Sequence, residues 1–196
     1  MPMNLPNKLT VARMLLTVVF VVIFSIPSSN RLSLSLIIFA VASFTDYLDG
    51  EIARKRGLIT NFGKLLDPVA DKVLMSAALV LLATEEKVFP GWTVVVVLAR
   101  DFIVTGIRLI AASAGKVLSA EKLGKHKTVW QMITAFYFMM RGASLEPFGT
   151  WLAPLFSFKV MAPGAFGLVC IVMMVALTII SGLSYFWKNR GLFADA

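Results

Sequence analysis

The sequence predicts an all-α fold: a polytopic membrane bundle of six transmembrane helices with a short N-terminal interfacial helix. One domain spans residues 1–196. Three observations predict this. Hydrophobic residues make up 58% of the chain, and mean hydropathy is +0.82. Six apolar stretches approach the ~20 residues that a helix needs to cross ~30 Å of hydrocarbon. The lysines and arginines fall mostly in alternate connecting segments, as they do in membrane proteins with a fixed orientation.

The stretches are roughly 8–26, 33–53, 68–84, 92–112, 128–142 and 163–186. Pro6 and the polar residues Asn4 to Thr10 precede the first and suggest the interfacial helix. Arg13 lies inside the first apolar run, which lacks a small-x-small cleavage site, so this span is expected to be retained. The second ends in aspartates followed by arginine and lysine. The third opens at Pro68, a residue suited to a first helical turn because its missing N–H costs nothing there. The fourth carries Arg100, Asp101 and Arg108. The fifth is the shortest and follows the basic segment Lys122 to Lys127. The sixth holds the only cysteine, Cys170, read as an apolar filler. Glu85-Glu86 and the Pro/Gly-rich stretch 142–154 are expected loops.

Charge orients the bundle. With the N-terminus inside, the inner segments hold Lys8, Arg54, Lys55, Arg56, Lys64, Lys72, Lys116, Lys122, Lys125, Lys127, Lys188 and Arg190. The outer loops hold only Arg31, Lys87, Arg141 and Lys159. This asymmetry places both termini in the cytoplasm. The net charge of +8 reads as a face turned toward anionic lipid and anionic substrates. A nucleic-acid partner fits poorly, because the cations are scattered over several loops. A single cysteine excludes an intramolecular disulfide. The lone histidine, His126, has no second His or Cys beside it to support zinc, and reads as a surface or headgroup contact.

Against this background stand four aspartates. Asp46 and Asp49 are spaced i, i+3 at the end of the second span. Asp67 and Asp71 are spaced i, i+4 at the start of the third. Either spacing places both carboxylates on one helix face. A short basic loop joins the two helices, so they are expected to be antiparallel neighbours with their acidic faces meeting just below the cytoplasmic surface. An unpaired carboxylate at membrane depth costs about 2.5–3.5 kcal/mol on insertion scales. Salt bridges to Arg54, Lys55, Arg56, Lys64 and Lys72 would account for any one aspartate. Four together point to a divalent metal pair, since hard cations take oxygen ligands. Gly50 costs ~1 kcal/mol against Ala inside a helix. With Ala53 it forms a small-residue face that a bulky ligand can approach.

These residues spell D-x2-D-G-x2-A-R-x8-G-x3-D-x3-D, with Asp46, Asp49, Gly50, Ala53, Arg54, Gly63, Asp67 and Asp71 at the fixed positions. The stretch resembles the signature of the CDP-alcohol phosphotransferase family. That family joins a CDP-activated donor to an alcohol and releases CMP, with two divalent metals. The resemblance implies that Asp46, Asp49, Asp67 and Asp71 bind the metals, Mg²⁺ or Mn²⁺. It implies that Asp71 is also the catalytic general base. Gly50, Ala53, Arg54 and Thr60, with Asp46 and Asp49, then hold the CDP-diacylglycerol nucleotide. The resemblance also implies a homodimer.

Asn4 to Thr10, followed by Arg13, resembles the opening of phosphatidylglycerophosphate synthases and of CMP-forming cardiolipin synthases. Asn7 and Thr10 are read either as nucleotide contacts or as simple helix caps. Ala99 to Arg108, and Lys122 to Thr128 with Gln131, resemble the phosphatidylglycerophosphate synthases. Asp101 stands where those more often carry Glu. Arg100 and Arg108 sit two turns apart on one span, and an intramembrane arginine is a functional candidate. With Lys125 and Lys127 they form an expected pocket for an acceptor phosphate. The bland readings are that Asp101 offsets an arginine and that the lysines are ordinary inside charge. The expected partners are therefore CDP-diacylglycerol, glycerol 3-phosphate, CMP and membrane lipid. The nearest alternative is a sibling enzyme with another acceptor, above all phosphatidylglycerol. A cation transporter using the aspartates fits less well, because no acidic residue lies deep in spans one, five or six.

Overall fold

A computed structural model describes residues 5–56, 61–113, 122–157 and 164–190; at 5–7, 46–56, 61–68, 71, 113 and 122 it describes the backbone alone. The described residues form α1 (Leu5–Ser25), α2 (Arg31–Arg56), α3 (Asn61–Thr84), α4 (Gly91–Ser113) and α5 (Lys122–Ala143). A 3-10 segment (Pro147–Leu152), α6 (Ala153–Ser157) and α7 (Ala165–Lys188) follow. No strand occurs among them. Long helices stand where the six apolar stretches lie. Two of them are long and apolar enough to cross a membrane: α1 from Lys8 to Ser25, and α7 from Ala165 to Lys188. Shorter apolar runs occupy Arg31–Thr45 of α2 and Lys72–Thr84 of α3.

Three boundaries differ from expectation. The interfacial helix is not a separate element among the described residues, because Leu5–Ser25 is continuous and Pro6 falls in its first turn. Pro68 is not in a first turn, because α3 begins seven residues earlier at Asn61, a residue type suited to a helix start. The helix runs through Pro68 and forgoes its hydrogen bond to the Lys64 carbonyl. The stretch 142–154 is not a plain loop. It contains the end of α5, the 3-10 segment and the start of α6.

The core sits where α1, α2, α3 and α5 meet, around Phe20, Phe24, Phe39, Leu74, Leu79, Leu82 and Met139, with Val97 of α4 and Met174 of α7 joining it. Phe20 lies 5.8 Å from Phe39 and 5.7 Å from Phe24 between ring centroids. Phe39 in turn meets Phe136 of α5 edge-on at 5.0 Å. Cys170 is fully buried in α7, in keeping with its reading as filler.

The buried positions follow a three–four spacing, which keeps one stripe of each helix facing its neighbours. In α1 the stripe is Thr10, Arg13, Thr17, Phe20 and Phe24. In α2 it is Leu32, Ser35, Phe39 and Ala42, and in α3 Ala70, Leu74, Ala78 and Leu81. The opposite faces expose large apolar residues: Leu15 and Val18 on α1, Ile37 and Phe44 on α2, Val95 and Phe102 on α4, Leu168 and Leu183 on α7. The helices are thus apolar on both sides.

The start of α2 is pinned. The Glu146 carboxylate accepts from the backbone N–H of Leu32 at 2.8 Å and of Ser33 at 2.7 Å. A carboxylate there satisfies two donors that a helix start leaves open and favours its positive end. Arg31 pairs with Glu86 of the α3–α4 turn. Both contacts lie at the end of α2 remote from its aspartates and fix the register in which α2 carries them.

Candidate functional site

Continuing the buried stripe of α2 beyond Phe39 and Ala42 at the same spacing reaches 46, 49 and 53. Running the stripe of α3 back from Ala78 and Leu74 reaches 71 and 67. The helical backbone is continuous over both stretches. Asp46, Asp49 and Ala53 on α2, and Asp67 and Asp71 on α3, therefore occupy register positions that continue those stripes. Gly50 and Arg54 lie in the last two turns of α2. The side chains of these residues are outside the described set. Thr60 lies outside the described residues altogether, and the side chain of Asn7 does as well. Thr10 is buried on the α1 stripe.

Beside the aspartates, the described side chains form a cationic cluster around one carboxylate. Lys127 Nζ donates to both oxygens of Asp101, at 2.5 and 2.6 Å. Arg100 Nη1 lies 3.3 Å from Asp101 Oδ1. Lys72, the residue after Asp71, donates to Thr105 Oγ1 and reaches the Asp101 carbonyl oxygen at 3.4 Å. Asp101 thus ties α3, α4 and α5 together: its carboxylate meets Lys127 and Arg100, and its backbone carbonyl meets Lys72. Two cations, Arg100 and Lys127, on one carboxylate leave positive charge that suits an anionic ligand.

Arg100 packs against two glycines. A Cβ at Gly182 of α7 would stand 3.0 Å from Arg100 Cγ. One at Gly124 of α5 would stand 3.4 Å from its Nη2. The arginine thus runs between α5 and α7, where a side chain at 182 would press on it. Arg100 Nε and Gln131 Nε2 are buried donors with no hydrogen-bond partner among the described residues. A buried donor left open costs about 1–3 kcal/mol.

The four expected acceptor residues do not all converge. Arg100 and Lys127 meet at Asp101. Arg108 instead donates from Nε to the Tyr185 hydroxyl at 3.3 Å, with its guanidinium 5.4 Å from the centre of that ring. Lys125 is exposed on α5, as is His126. Sequence reasoning cast Asp101 as an offset to an arginine, and Lys72 as inner charge and a salt-bridge partner for the aspartates of α2 and α3. Two signals were available. Asp101 falls on the buried stripe of α4 between Val97 and Val104, and Lys127 falls on that of α5 with Gln131 and Thr134.

Among the described residues no group of His, Cys, Asp or Glu could hold a metal ion. The aspartate positions on α2 and α3 offer an all-oxygen donor set of the kind that Mg²⁺ and Mn²⁺ take.

Comparison with known proteins gives a consistent result. Residues 3–188 match the family described as CDP-alcohol phosphatidyltransferase. A Bacillus subtilis protein named CDP-diacylglycerol–glycerol-3-phosphate 3-phosphatidyltransferase is 39% identical over 198 residues, covering 95% of each chain. A Rickettsia typhi protein of the same name is 35% identical over 190 residues, covering 97% of this chain and 99% of its own. A Salmonella typhimurium protein of that name is 37% identical over 147 residues, 72% of this chain and 79% of its own.

Proposed function

The chain belongs to the CDP-alcohol phosphatidyltransferase family, and from that premise we propose the reaction named for its relatives. The protein transfers the phosphatidyl group of CDP-diacylglycerol to glycerol 3-phosphate, giving phosphatidylglycerophosphate and CMP. The observation that carries the choice of acceptor is the cluster of Lys72, Arg100 and Lys127 around Asp101, beside Asp71. A phosphate-bearing acceptor uses that surplus of positive charge and the open donors of Arg100 and Gln131. A neutral alcohol has no use for them.

Asp46, Asp49, Asp67 and Asp71 hold two divalent ions, Mg²⁺ or Mn²⁺, in this reading. When bound, such ions neutralise a diphosphate and stabilise the charge that develops in an in-line displacement. The chain's own residues do the rest. Arg54 meets a diphosphate oxygen through its planar guanidinium. Gly50 and Ala53 leave room for the nucleotide along α2, and Asn7, Thr10 and Thr60 border it. Asp71 takes the proton from the primary hydroxyl of the acceptor. That oxygen attacks the β-phosphorus of the donor, the bond to the CMP oxygen breaks, and CMP leaves. Arg100 and Lys127 orient the acceptor phosphate. Arg108 and Lys125 lie further from Asp101 and guide the approach of anions.

The setting is a six-span protein of the cell membrane, with both termini and the site on the cytoplasmic side, acting as a homodimer of single-domain chains of 1–196. Positive-inside charge supports the orientation. The exposed apolar faces of α1, α2, α4 and α7 support a lipid surround. The donor's acyl chains then stay in the bilayer while its headgroup reaches the site.

Purified protein with CDP-diacylglycerol and a panel of acceptors tests the reading. Glycerol 3-phosphate should give the fastest CMP release. Faster release with phosphatidylglycerol would make the chain a cardiolipin-forming sibling instead.

A further inference from the structure

Arg13 is the largest fully buried side chain in the described structure, with 1% of its surface exposed. It sits on α1, which packs along both helices that carry the aspartates. A buried guanidinium must be compensated, because an uncompensated buried charge costs several kcal/mol. The α1–α2 register identifies the compensating position. Phe20 and Phe39 are in ring contact at 5.8 Å and belong to the facing stripes. The two helices run antiparallel. One heptad from Phe20 toward the site is Arg13, and one heptad from Phe39 toward the site is Asp46. Each step covers about 10.5 Å and returns to nearly the same face.

The same register sets Thr17 opposite Ala42 and Thr10 opposite Asp49. Arg13 is the only charged residue of the α1 stripe, and it stands at the level of the first aspartate. Thr17 Oγ1 donates to the Arg13 carbonyl at 2.9 Å, so that turn needs no outside partner for its hydroxyl. We infer that Arg13 is a positioning residue for Asp46: its guanidinium holds the carboxylate in the orientation the metal site needs. This rests on the proposed metal role of Asp46.

Two measurements test it, and they fail separately. The first is a crosslink and needs no metal. In a Cys170→Ser background, which removes the only cysteine, the pair Arg13→Cys and Asp46→Cys is oxidised in membranes. The fraction joined is read by loss of polyethylene-glycol–maleimide labelling after denaturation. The 13/46 pair should crosslink far more completely than 13/47 or 13/71. Preferential crosslinking of 13/71 would overturn the inference.

The second is Mn²⁺ binding, read by electron paramagnetic resonance on protein in lipid nanodiscs. Arg13→Lys keeps the charge, and Arg13→Met keeps the bulk without it. Loss of a group that orients a metal ligand typically costs 10–100-fold in affinity. Arg13→Met should therefore weaken Mn²⁺ binding at least about tenfold, while Arg13→Lys recovers most of it. Wild-type affinity in Arg13→Met would reduce Arg13 to a packing residue and overturn the inference. If the native chain bound no Mn²⁺, the metal reading alone would fall, and the crosslink would decide where Arg13 points.

Discussion

Replacing Asp101 by Asn should destabilise the protein more than any exposed charge change. The carboxylate accepts two bonds from Lys127, whose side chain is only 2% exposed, and faces Arg100 at 3.3 Å. Asn keeps the shape and removes the charge, leaving Lys127 buried among Arg100 and Lys72. Breaking a buried pair by removing one partner costs about 3–5 kcal/mol. Asp101 itself is 20% exposed, which favours the lower end, about 3 kcal/mol. For a chain of this size 1 kcal/mol moves Tm by roughly 2–4 °C, so the expected drop is about 6–12 °C. Thermal unfolding in a mild detergent, followed by circular dichroism, measures it. Lys125→Met, which removes an exposed charge, is the control and should shift Tm by no more than about 2 °C. Asp101→Leu combined with Lys127→Met should recover part of the loss, because the buried Lys127 charge goes with its partner while Arg100 still loses its carboxylate. If Asp101→Asn shifted Tm no more than Lys125→Met, the cluster would contribute nothing to the fold.

Three further outcomes follow from the site. Asp71→Asn should lower the turnover rate by about 10²–10⁴ with the fold intact, and retention of more than roughly a tenth of the native rate would assign the base elsewhere. Arg54→Lys should weaken donor use although the charge is kept, because an ammonium cannot reproduce a planar fork; unchanged kcat and KM for CDP-diacylglycerol would return Arg54 to the role of a loop charge. Arg100→Ala should raise KM for glycerol 3-phosphate about tenfold or more, the loss of a charge-assisted bond worth ~1.5–3 kcal/mol, with a smaller effect on the donor; equal effects on both substrates would argue against an acceptor pocket at Arg100.

The spacing of the aspartates carries physical meaning twice over. It puts each pair on one helix face, and it continues the three–four stripe that buries Phe39, Ala42, Leu74 and Ala78. The positions of the long helices were legible from apolar length alone. Pro68 misled, because a proline read locally marks a helix start. The helix runs through it instead. The start of α5 was misplaced for a related reason. Lys122 to Lys127 reads as a loop by charge, yet Lys127 turns inward to Asp101. The convergence of Lys72, Arg100 and Lys127 on one residue, Asp101, joins three helices, and no local pattern reports such a meeting. Arg108 shows the converse, since its partner Tyr185 lies far along the chain in α7.

The central claim is metal-dependent phosphatidyl transfer at the aspartate face. Its most direct test follows phosphatidylglycerophosphate and CMP formed from CDP-diacylglycerol and glycerol 3-phosphate, first in excess EDTA and then with Mg²⁺ or Mn²⁺ restored. Carboxylates gathered around a diphosphate repel it unless cations intervene. Both products should be absent in EDTA and should return together, in equal amounts, with either ion. Full formation in excess EDTA would contradict the account.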